Sequence, residues 1–358
     1  MDLWSNQEAK FNGRMLVLAR ESRGISQKQL ADALGVPQSR ISMIEMELRP
    51  VPNELLDQFC ERLHYPREFF FQHSSLAGVG IAEVFHRKRA RVSRPVLAQI
   101  YAQIEIRFLH LDVLLRSVDI ECSVPHLDIQ DFQGYADEAA RVVRTKLGLP
   151  RGPIANLTEV LEDAGIIVIP FDFGTREVDA ISRWVTTLSP VVFVNTESPT
   201  DRLRFSLAHE LGHLVMHDLP TPEMEEEADA FAEEFLMPER DIRHELQDLD
   251  LARLAILKKY WRVSMAALLV RARTLETITA NQARYLWQKM SQAGYRLREP
   301  VELDAATEVP SLLRELVQVY LRDLGYTTDD LGRVVKLFPD ELKDTYLRVP
   351  GNKSLHVV

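Results

Sequence analysis

Cysteine is almost absent from this chain, which has only Cys60 and Cys122 among its 358 residues. These two lie far apart, so the sequence argues against a disulfide framework and against a zinc cluster built from thiolates. Apolar runs of about 18 or more residues are also missing, and a membrane-spanning helix is therefore not expected. Residues 1–14 lack the basic and then apolar order of a signal peptide. These absences predict a cytoplasmic protein with no membrane partner.

An excess of basic residues is missing as well. The formal net charge is −10, whereas a protein that binds nucleic acid usually carries a basic surface. The charge is uneven along the chain, because residues 223–250 are strongly acidic. A basic cluster lies upstream and consists of Arg87, Lys88, Arg89, Arg91 and Arg94.

The chain is long enough for two or three domains, and 46% hydrophobic with 27% charged residues is typical of a folded protein. The apolar spacing predicts a mainly α fold with a small mixed β-sheet. Three runs rich in β-branched and aromatic residues, 165–170, 179–185 and 190–195, are the expected strands. We expect a helical bundle at 11–73, a basic segment and helical linker at 74–126, a second domain at 127–298 and a C-terminal helical region at 299–358.

The strongest motif is H-E-x-x-H, which begins at His209. On a helix, His209 and His213 lie one turn apart on the same face, so both imidazoles can bind one metal ion. Zinc bound there would lower the pKa of a water molecule, and Glu210 could take its proton as general base. The alternative is a helix with two surface histidines and a solvated glutamate. His217 is expected to be structural, because a fourth protein ligand would fill the position that water needs.

A catalytic zinc site needs a third protein ligand, and the acidic run at 223–229 can supply it. Glu225 and Asp229 are four residues apart and share a helical face. We favour Glu225 as the ligand and Asp229 as the carboxylate that orients a ligand histidine. Glu227 is the main competitor; it points to nearly the opposite side, so it and Glu225 cannot both bind the ion. An acidic helix start favoured by the helix dipole would explain the charges but not their spacing.

Two segments resemble the ImmA/IrrE family of metallopeptidases. They read R-F-S-L-A-H-E-L-G-H-L from Arg204 and E-x-x-A-D-x-F-A-x-x-F-L-M-P to Pro238. The resemblance extends over about residues 137–276 and includes V-D-A-I-S at 178–182. Members of this family are gluzincin-like enzymes that cut repressor proteins, so the resemblance implies an α+β peptidase domain with Zn2+ as cofactor.

The same resemblance implies roles for individual residues. His209, His213 and Glu225 correspond to the metal ligands of the family. Glu210 corresponds to the catalytic base. The family often has Asn where Asp229 stands, and Asp at this position resembles the carboxylate of other gluzincins.

Residues 11–63 resemble the helix-turn-helix of the Cro/repressor-like (XRE) family. The matching segments are L-A-R-E-S-R-G-I-S-Q-K-Q-L-A from Leu18 and L-G-V-P-Q-S-R-I-S-x-I-E from Leu34. The resemblance implies that the second helix of the motif enters the major groove of an operator in double-stranded DNA. The residues expected at the DNA are Gln38, Ser39, Arg40 and Ser42 for base edges, and Gln27 and Lys28 for phosphates.

The charge of this segment leaves a second interpretation open. Residues 1–72 carry nine Lys or Arg and ten Asp or Glu, a net charge of −1, and Glu45 and Glu47 lie towards the end of the second helix. A dimer or partner interface is therefore the alternative to DNA binding, and a homodimer remains open as an assembly. The basic cluster at 87–94 could supply the missing phosphate contacts, and a solvated basic helix start is an equally good interpretation of it.

Two functions are consistent with these patterns. The first is a regulatory zinc metalloendopeptidase that cleaves a specific protein under stress or phage signals, such as a repressor or antitoxin encoded by an adjacent gene. The second is a transcriptional regulator or antitoxin-like protein that uses the zinc fold for sensing or partner binding without proteolysis. For a peptidase, we expect one of the segments 179–184 and 190–195 to be a sheet edge that aligns an extended substrate. The helices at 301–350 are expected to be a packed bundle rather than a ligand-gating element.

Overall fold

A computed structural model describes residues 10–72, 92–184 and 188–347. Most of the basic cluster at 87–94, and the end of the predicted strand at Val185, lie outside the described residues. Within the described ranges, no helix combines the length and the apolar character that crossing a membrane requires.

The chain divides into two compact units. The first unit combines Met1–Asp119 with Leu313–Val358, and the second unit is Ile120–Leu312. The second unit is therefore inserted into the sequence of the first, and the first unit is built from both ends of the chain.

Short helices form the N-terminal part of the first unit, and local capping sets their ends. The Ser26 side chain accepts the backbone N–H of Gln29, and the Gln29 side chain accepts the N–H of Ser26, which starts the second helix. Gly35 ends that helix in the left-handed conformation that glycine adopts without strain. Leu16 and Phe59 are fully buried in the core between the helices. The helices are α1 (Gly13–Ser22), α2 (Gln27–Leu34), α3 (Gln38–Glu45), α4 (Asn53–Leu63) and α5 (Arg94–Leu114).

The described part of the second unit contains three strands among helices. The helices before the sheet are α6 (Ala136–Lys146) and α7 (Leu157–Asp163), and the strands are β1 (Ile167–Phe171), β2 (Ala180–Arg183) and β3 (Val191–Asn195). After the sheet come α8 (Thr200–Met216), α9 (Met224–Leu236), α10 (Glu239–Ile242), α11 (Leu251–Trp261), α12 (Met265–Thr274) and α13 (Ala280–Gln292). The prediction of a mainly α fold with a small mixed sheet is confirmed.

The sheet has the strand order β1-β3-β2. β1 runs parallel to β3, with Ile167 opposite Val191, and β2 runs antiparallel to β3, with Ala180 opposite Val194. All residues of β3 are buried, as expected for a central strand. Of the two segments that were expected as a sheet edge, 190–195 contains the central strand β3 and 179–184 contains β2, which lies at an edge of the sheet.

Helices α8 and α9 pack closely where α8 has a glycine. A Cβ atom at Gly212 would lie 3.2 Å from the ring of Phe231, so a larger residue would require Phe231 to shift. Phe231, Ala232 and Phe235 are fully buried on α9, and Leu211 is fully buried on α8. Gly212 therefore allows the close spacing of α8 and α9.

A buried lysine connects three parts of the second unit. The Lys258 side chain on α11 is 1% exposed; its ammonium donates to Asp201 at the start of α8 and, at 2.8 Å, to Glu299. Burial alone would lower the pKa of Lys258, but the hydrogen bonds to these two carboxylates raise it. Glu299 also accepts the backbone N–H groups of Met265 at 3.0 Å and Ala266 at 3.1 Å, which are otherwise unpaired at the start of α12.

The C-terminal helices belong to the first unit. They are α14 (Leu312–Gln318), α15 (Thr328–Val335) and α16 (Pro339–Leu342). Apolar spacing predicts one helix over 329–346, but the helix ends at Val335 because Lys336 is left-handed, with φ of 59°, and Pro339 then starts a new helix.

Hydrogen bonds attach this C-terminal part to the N-terminal helices. The Tyr320 hydroxyl donates to the carbonyl oxygen of Leu114 at 2.8 Å, and the Tyr346 hydroxyl lies 2.6 Å from Nδ1 of the buried His110 on α5. Arg23 donates to Glu341 at 2.8 Å. The core of the first unit is thus completed by residues that are more than two hundred positions away in sequence.

Replacing Lys258 by methionine should strongly destabilise the second unit. Asp201 and Glu299 would remain buried without their cation, and breaking a buried ion pair from one side costs about 3–5 kcal/mol. Urea denaturation followed by circular dichroism measures the loss. Lys259→Met, which removes an exposed neighbouring charge, is the matched control and should cost less than about 1 kcal/mol. An equal loss of unfolding free energy in the two variants would contradict a stabilising role for the buried ion pairs of Lys258.

His110 should make the first unit less stable below neutral pH. Burial, together with the nearby Arg107 guanidinium, holds the pKa of His110 well below its usual range. The unfolded chain protonates this histidine below about pH 6.5 and the folded chain does not, so stability falls as the pH falls. Between about pH 7 and pH 5 the free energy of unfolding should therefore decrease, by at most about 2 kcal/mol.

The control is His110→Asn, which places an acceptor oxygen near the position of Nδ1 without a titrating ring. Its free energy of unfolding should fall less over the same pH range than that of the unsubstituted protein. Parallel pH dependences would show that His110 does not contribute.

Candidate functional site

Two histidines on α8 share one face of the helix and point into the same space. The exposed fractions of His209 and His213 are 8% and 6%, and their Nε2 atoms lie 3.0 Å apart. For comparison, two nitrogens bound to one tetrahedral zinc ion at 2.0–2.1 Å lie about 3.3 Å apart. The i,i+4 spacing of the motif therefore brings the two rings together as helical geometry requires.

Helix α9 brings a carboxylate to the same space. Glu225 Oε1 lies 3.6 Å from His213 Nε2, and Oε2 lies 3.9 Å from His209 Nε2. The ligand atoms of these three residues all lie within 4.8 Å of one another, and the group could hold a metal ion. Glu227 does not join this group and instead binds His217, at 2.9 Å from its Nε2.

The second ring nitrogens of the two histidines also have partners. His209 Nδ1 lies 2.8 Å from Asp229 Oδ1, and His213 Nδ1 lies 3.0 Å from His217 Nδ1. Asp229 is thus placed beside the ring that it was predicted to orient. The His217–Glu227 pair behind His213 was not predicted.

The hydrogen-bond roles can be worked out from the carboxylates, which only accept. Asp229 requires the proton of His209 to be on Nδ1, which leaves a lone pair on its Nε2. Glu227 requires the proton of His217 to be on Nε2. His217 Nδ1 therefore accepts from His213 Nδ1–H, and the Nε2 of His213 also carries a lone pair. Burial lowers the pKa of His217, although its hydrogen bond to Glu227 raises it, which favours the neutral ring that this assignment uses.

The Nε2 atoms of His209 and His213 and the Glu225 carboxylate thus converge, and a cation between them would be bound by all three. Two nitrogens and one oxygen form the donor set that catalytic zinc sites use, which leaves the fourth position of a tetrahedral ion for water. The described residues therefore fit a zinc ion.

Glu210 lies next to His209 on α8 and is 2% exposed. Its Oε2 accepts the backbone N–H of Ser182 at 2.9 Å and the Ser182 hydroxyl at 2.6 Å. Ser182 belongs to the edge strand β2, so this strand holds the carboxylate beside the histidines. The sequence places Ser182 in the predicted strand at 179–185 and in the resembling segment at 178–182, but no pattern predicts its contact with Glu210.

Hydrogen bonds within the helix-turn-helix involve several of the residues that were predicted to meet DNA. Gln27 donates to Glu45 at 2.6 Å, and Gln38 donates to the side-chain oxygen of Gln27 at 3.4 Å. Lys28, Gln38 and Ser39 are exposed, and Gln27, Arg40 and Ser42 are half-buried.

The two acidic residues near the end of α3 have structural partners. Glu45, whose side chain is 5% exposed, pairs with Arg20 at 2.8 Å. Glu47 accepts the N–H of Gly13 at 3.2 Å, at the start of α1, and pairs with Lys10 at 2.7 Å. Both carboxylates are therefore compensated within the unit.

Comparisons with known proteins match two parts of the chain. Residues 161–273 match the family model of the IrrE N-terminal-like domain, which belongs to the M78 peptidases. Residues 16–70 match the model of a helix-turn-helix. No curated protein matches the chain. The matched ranges contain the His209, His213 and Glu225 group and the helices α2 and α3. The chain is therefore similar to a helix-turn-helix over residues 16–70 and to the IrrE N-terminal-like domain of the M78 peptidases over residues 161–273.

Proposed function

We propose that this protein is a DNA-binding regulatory zinc metallopeptidase that hydrolyses a peptide bond in one specific protein. The observation that carries the proposal is the convergence of His209, His213 and Glu225, with Glu210 on the same helix as the two histidines. The match to an M78 peptidase domain supports a peptidase rather than another use of the metal.

His209, His213 and Glu225 are the residues that would hold zinc. A zinc ion bound there supplies a Lewis acid that acidifies water and polarises a carbonyl group. Glu210 is the group that accepts the proton of the attacking water and passes it to the leaving amine. Ser182 holds one oxygen of Glu210 in place, so the carboxylate keeps one orientation during this transfer.

The edge strand β2 is suited to align the substrate. An extended peptide can add to a sheet edge through backbone hydrogen bonds, and β2 is next to Glu210 through Ser182. Binding through the backbone selects for an extended segment rather than for one residue type. The selected protein would therefore present an unfolded or exposed segment, as a repressor or antitoxin can.

Glu210→Gln should abolish cleavage and leave zinc binding intact. The amide is nearly isosteric but cannot take a proton, and loss of a general base lowers rates by about 10²- to 10⁴-fold. The assay incubates the purified protein with the product of the neighbouring gene and follows cleavage by mass spectrometry, with zinc content measured in parallel. Glu223→Gln, on the exposed start of α9, is the matched control and should cleave normally.

The alternative is a regulator that uses the zinc fold to sense or bind a partner without proteolysis. It predicts that Glu210→Gln leaves regulation in cells unchanged while loss of zinc ligands changes it. Cleavage by the unsubstituted protein that Glu210→Gln does not slow would exclude the peptidase mechanism proposed above.

The helix-turn-helix domain supports DNA binding, with α3 as the helix that enters the major groove. Because Glu45 and Glu47 are compensated by Arg20, Lys10 and the start of α1, they do not oppose this assignment. Gln38, Ser39, Arg40 and Ser42 would meet base edges, whereas Gln27 and Lys28 would meet phosphates. A homodimer would present two such helices to a symmetric operator.

Arg40→Ala with Gln38→Ala should abolish sequence-specific retardation of the operator in a gel-shift assay. Each good base contact contributes about 1–3 kcal/mol of discrimination, so two losses remove most of the specificity. Lys28→Ala should instead weaken binding to all sequences and reduce the salt dependence. Arg62→Ala removes an exposed charge from α4 and is the control. Unchanged specific retardation by the double variant would remove α3 from the interface.

A further inference from the structure

The pair formed by His217 and Glu227 has no part in the proposed reaction, yet it is built into the wall of the metal site. The side chain of His217 is 3% exposed and that of Glu227 is 18% exposed. Their 2.9 Å contact joins the residue after the end of α8 to the first turn of α9. Such burial is costly for two polar groups unless their hydrogen bonds are satisfied.

We propose that His217 and Glu227 are positioning residues that fix the tautomer and the orientation of His213 for metal binding. The inference rests on the proposed function, because it assumes that His213 binds zinc. The contacts run from Glu227 Oε2 to His217 Nε2 at 2.9 Å and from His217 Nδ1 to His213 Nδ1 at 3.0 Å. Glu227 accepts from His217, and His217 accepts from His213, so the lone pair of His213 is held on Nε2.

The Nδ1–H groups of His209 and His213 each have an acceptor, but the two acceptors differ in kind. Asp229 accepts the Nδ1 proton of His209 directly. No carboxylate among the described contacts does so for His213; His217 takes this position and Glu227 follows behind it. A neutral histidine can both accept and donate a hydrogen bond. His217 donates to Glu227, and this fixes its Nδ1 as the acceptor for His213.

The pair also explains the acidic run at the start of α9. Glu225 reaches the space between the histidines, and Glu227 reaches His217. Both contacts connect α9 to α8 or to the residue after it. One turn of α9 therefore supplies Glu225, which would bind the metal, and Glu227, which supports His213 through His217. A role in metal binding therefore accounts for two of the three adjacent glutamates.

The test measures the zinc dissociation constant of the full chain by competition with a chromogenic chelator. His217→Phe keeps the ring size but removes the acceptor, and zinc binding should weaken by about 10- to 100-fold. His217→Asn places an amide oxygen near the position of Nδ1, accepts from His213 and should recover most of the affinity. Glu227→Ala should weaken binding by about tenfold, whereas Glu223→Ala, an exposed glutamate of the same region, should not.

A second measurement separates positioning from a merely structural role. The ¹⁵N chemical shifts of the His213 ring report which nitrogen carries the proton. In the metal-free protein they should show Nδ1–H in the unsubstituted chain and in His217→Asn, and a mixture of tautomers in His217→Phe. The thermal midpoint of the metal-free variants controls for unfolding.

The outcomes distinguish this inference from the proposed function. Equal zinc affinity and equal tautomer in the unsubstituted chain, His217→Phe and Glu227→Ala would overturn the positioning role and leave the peptidase proposal intact. If the unsubstituted chain binds no zinc, the proposed function fails, and the positioning role fails with it. Weaker binding in both variants, with recovery in His217→Asn, supports the inference.

Discussion

The contact between α8 and α9 at Gly212 is the constraint on which the metal site depends. One helix carries His209, His213 and Glu210, and the other carries Glu225. Phe231 lies 3.2 Å from the position that a Cβ atom at residue 212 would take, so glycine there allows α9 to approach α8 this closely. A Cβ atom there would require Phe231 to move by a few tenths of an ångström, and the 3.6–3.9 Å contacts of Glu225 with the histidine rings depend on the same close approach of the helices. The core packing of two helices therefore sets the geometry of the polar site above it.

Hydrogen bonds fix the orientation of the histidine rings on these packed helices. Each ring nitrogen that faces away from the shared space has a partner, and each partner comes from or just beyond these two helices. Because the partners end in carboxylates, both rings present lone pairs to the same point. A cation bound at this point would stabilise the folded arrangement of the two helices. Metal affinity and the stability of the α8–α9 pair should consequently be coupled.

Local patterns in the sequence predict the parts of the site that lie on one helix. The i,i+4 spacing of His209 and His213 predicts a shared face, and the structure places the rings together. The choice between Glu225 and Glu227 depends on how α9 is rotated against α8, which spacing within α9 does not determine. The Ser182 contact with Glu210 joins a strand to a helix across 28 residues, and no periodicity encodes it. The same holds for the C-terminal helices, whose apolar stripes do not specify the partner they pack on.

The helix-turn-helix shows why net charge is a weak guide to what a surface presents. A count over residues 1–72 gives −1, which argues against binding a polyanion. Glu45 pairs with Arg20, and Glu47 pairs with Lys10 and accepts an N–H at the start of α1, so these two acidic residues and their two basic partners cancel within the unit. What matters for DNA is the set of side chains left exposed on α2 and α3, including Lys28, and not the sum over the segment. An acidic residue in or beside a recognition helix therefore opposes DNA binding less when a cation or an N–H group of the same unit compensates its carboxylate.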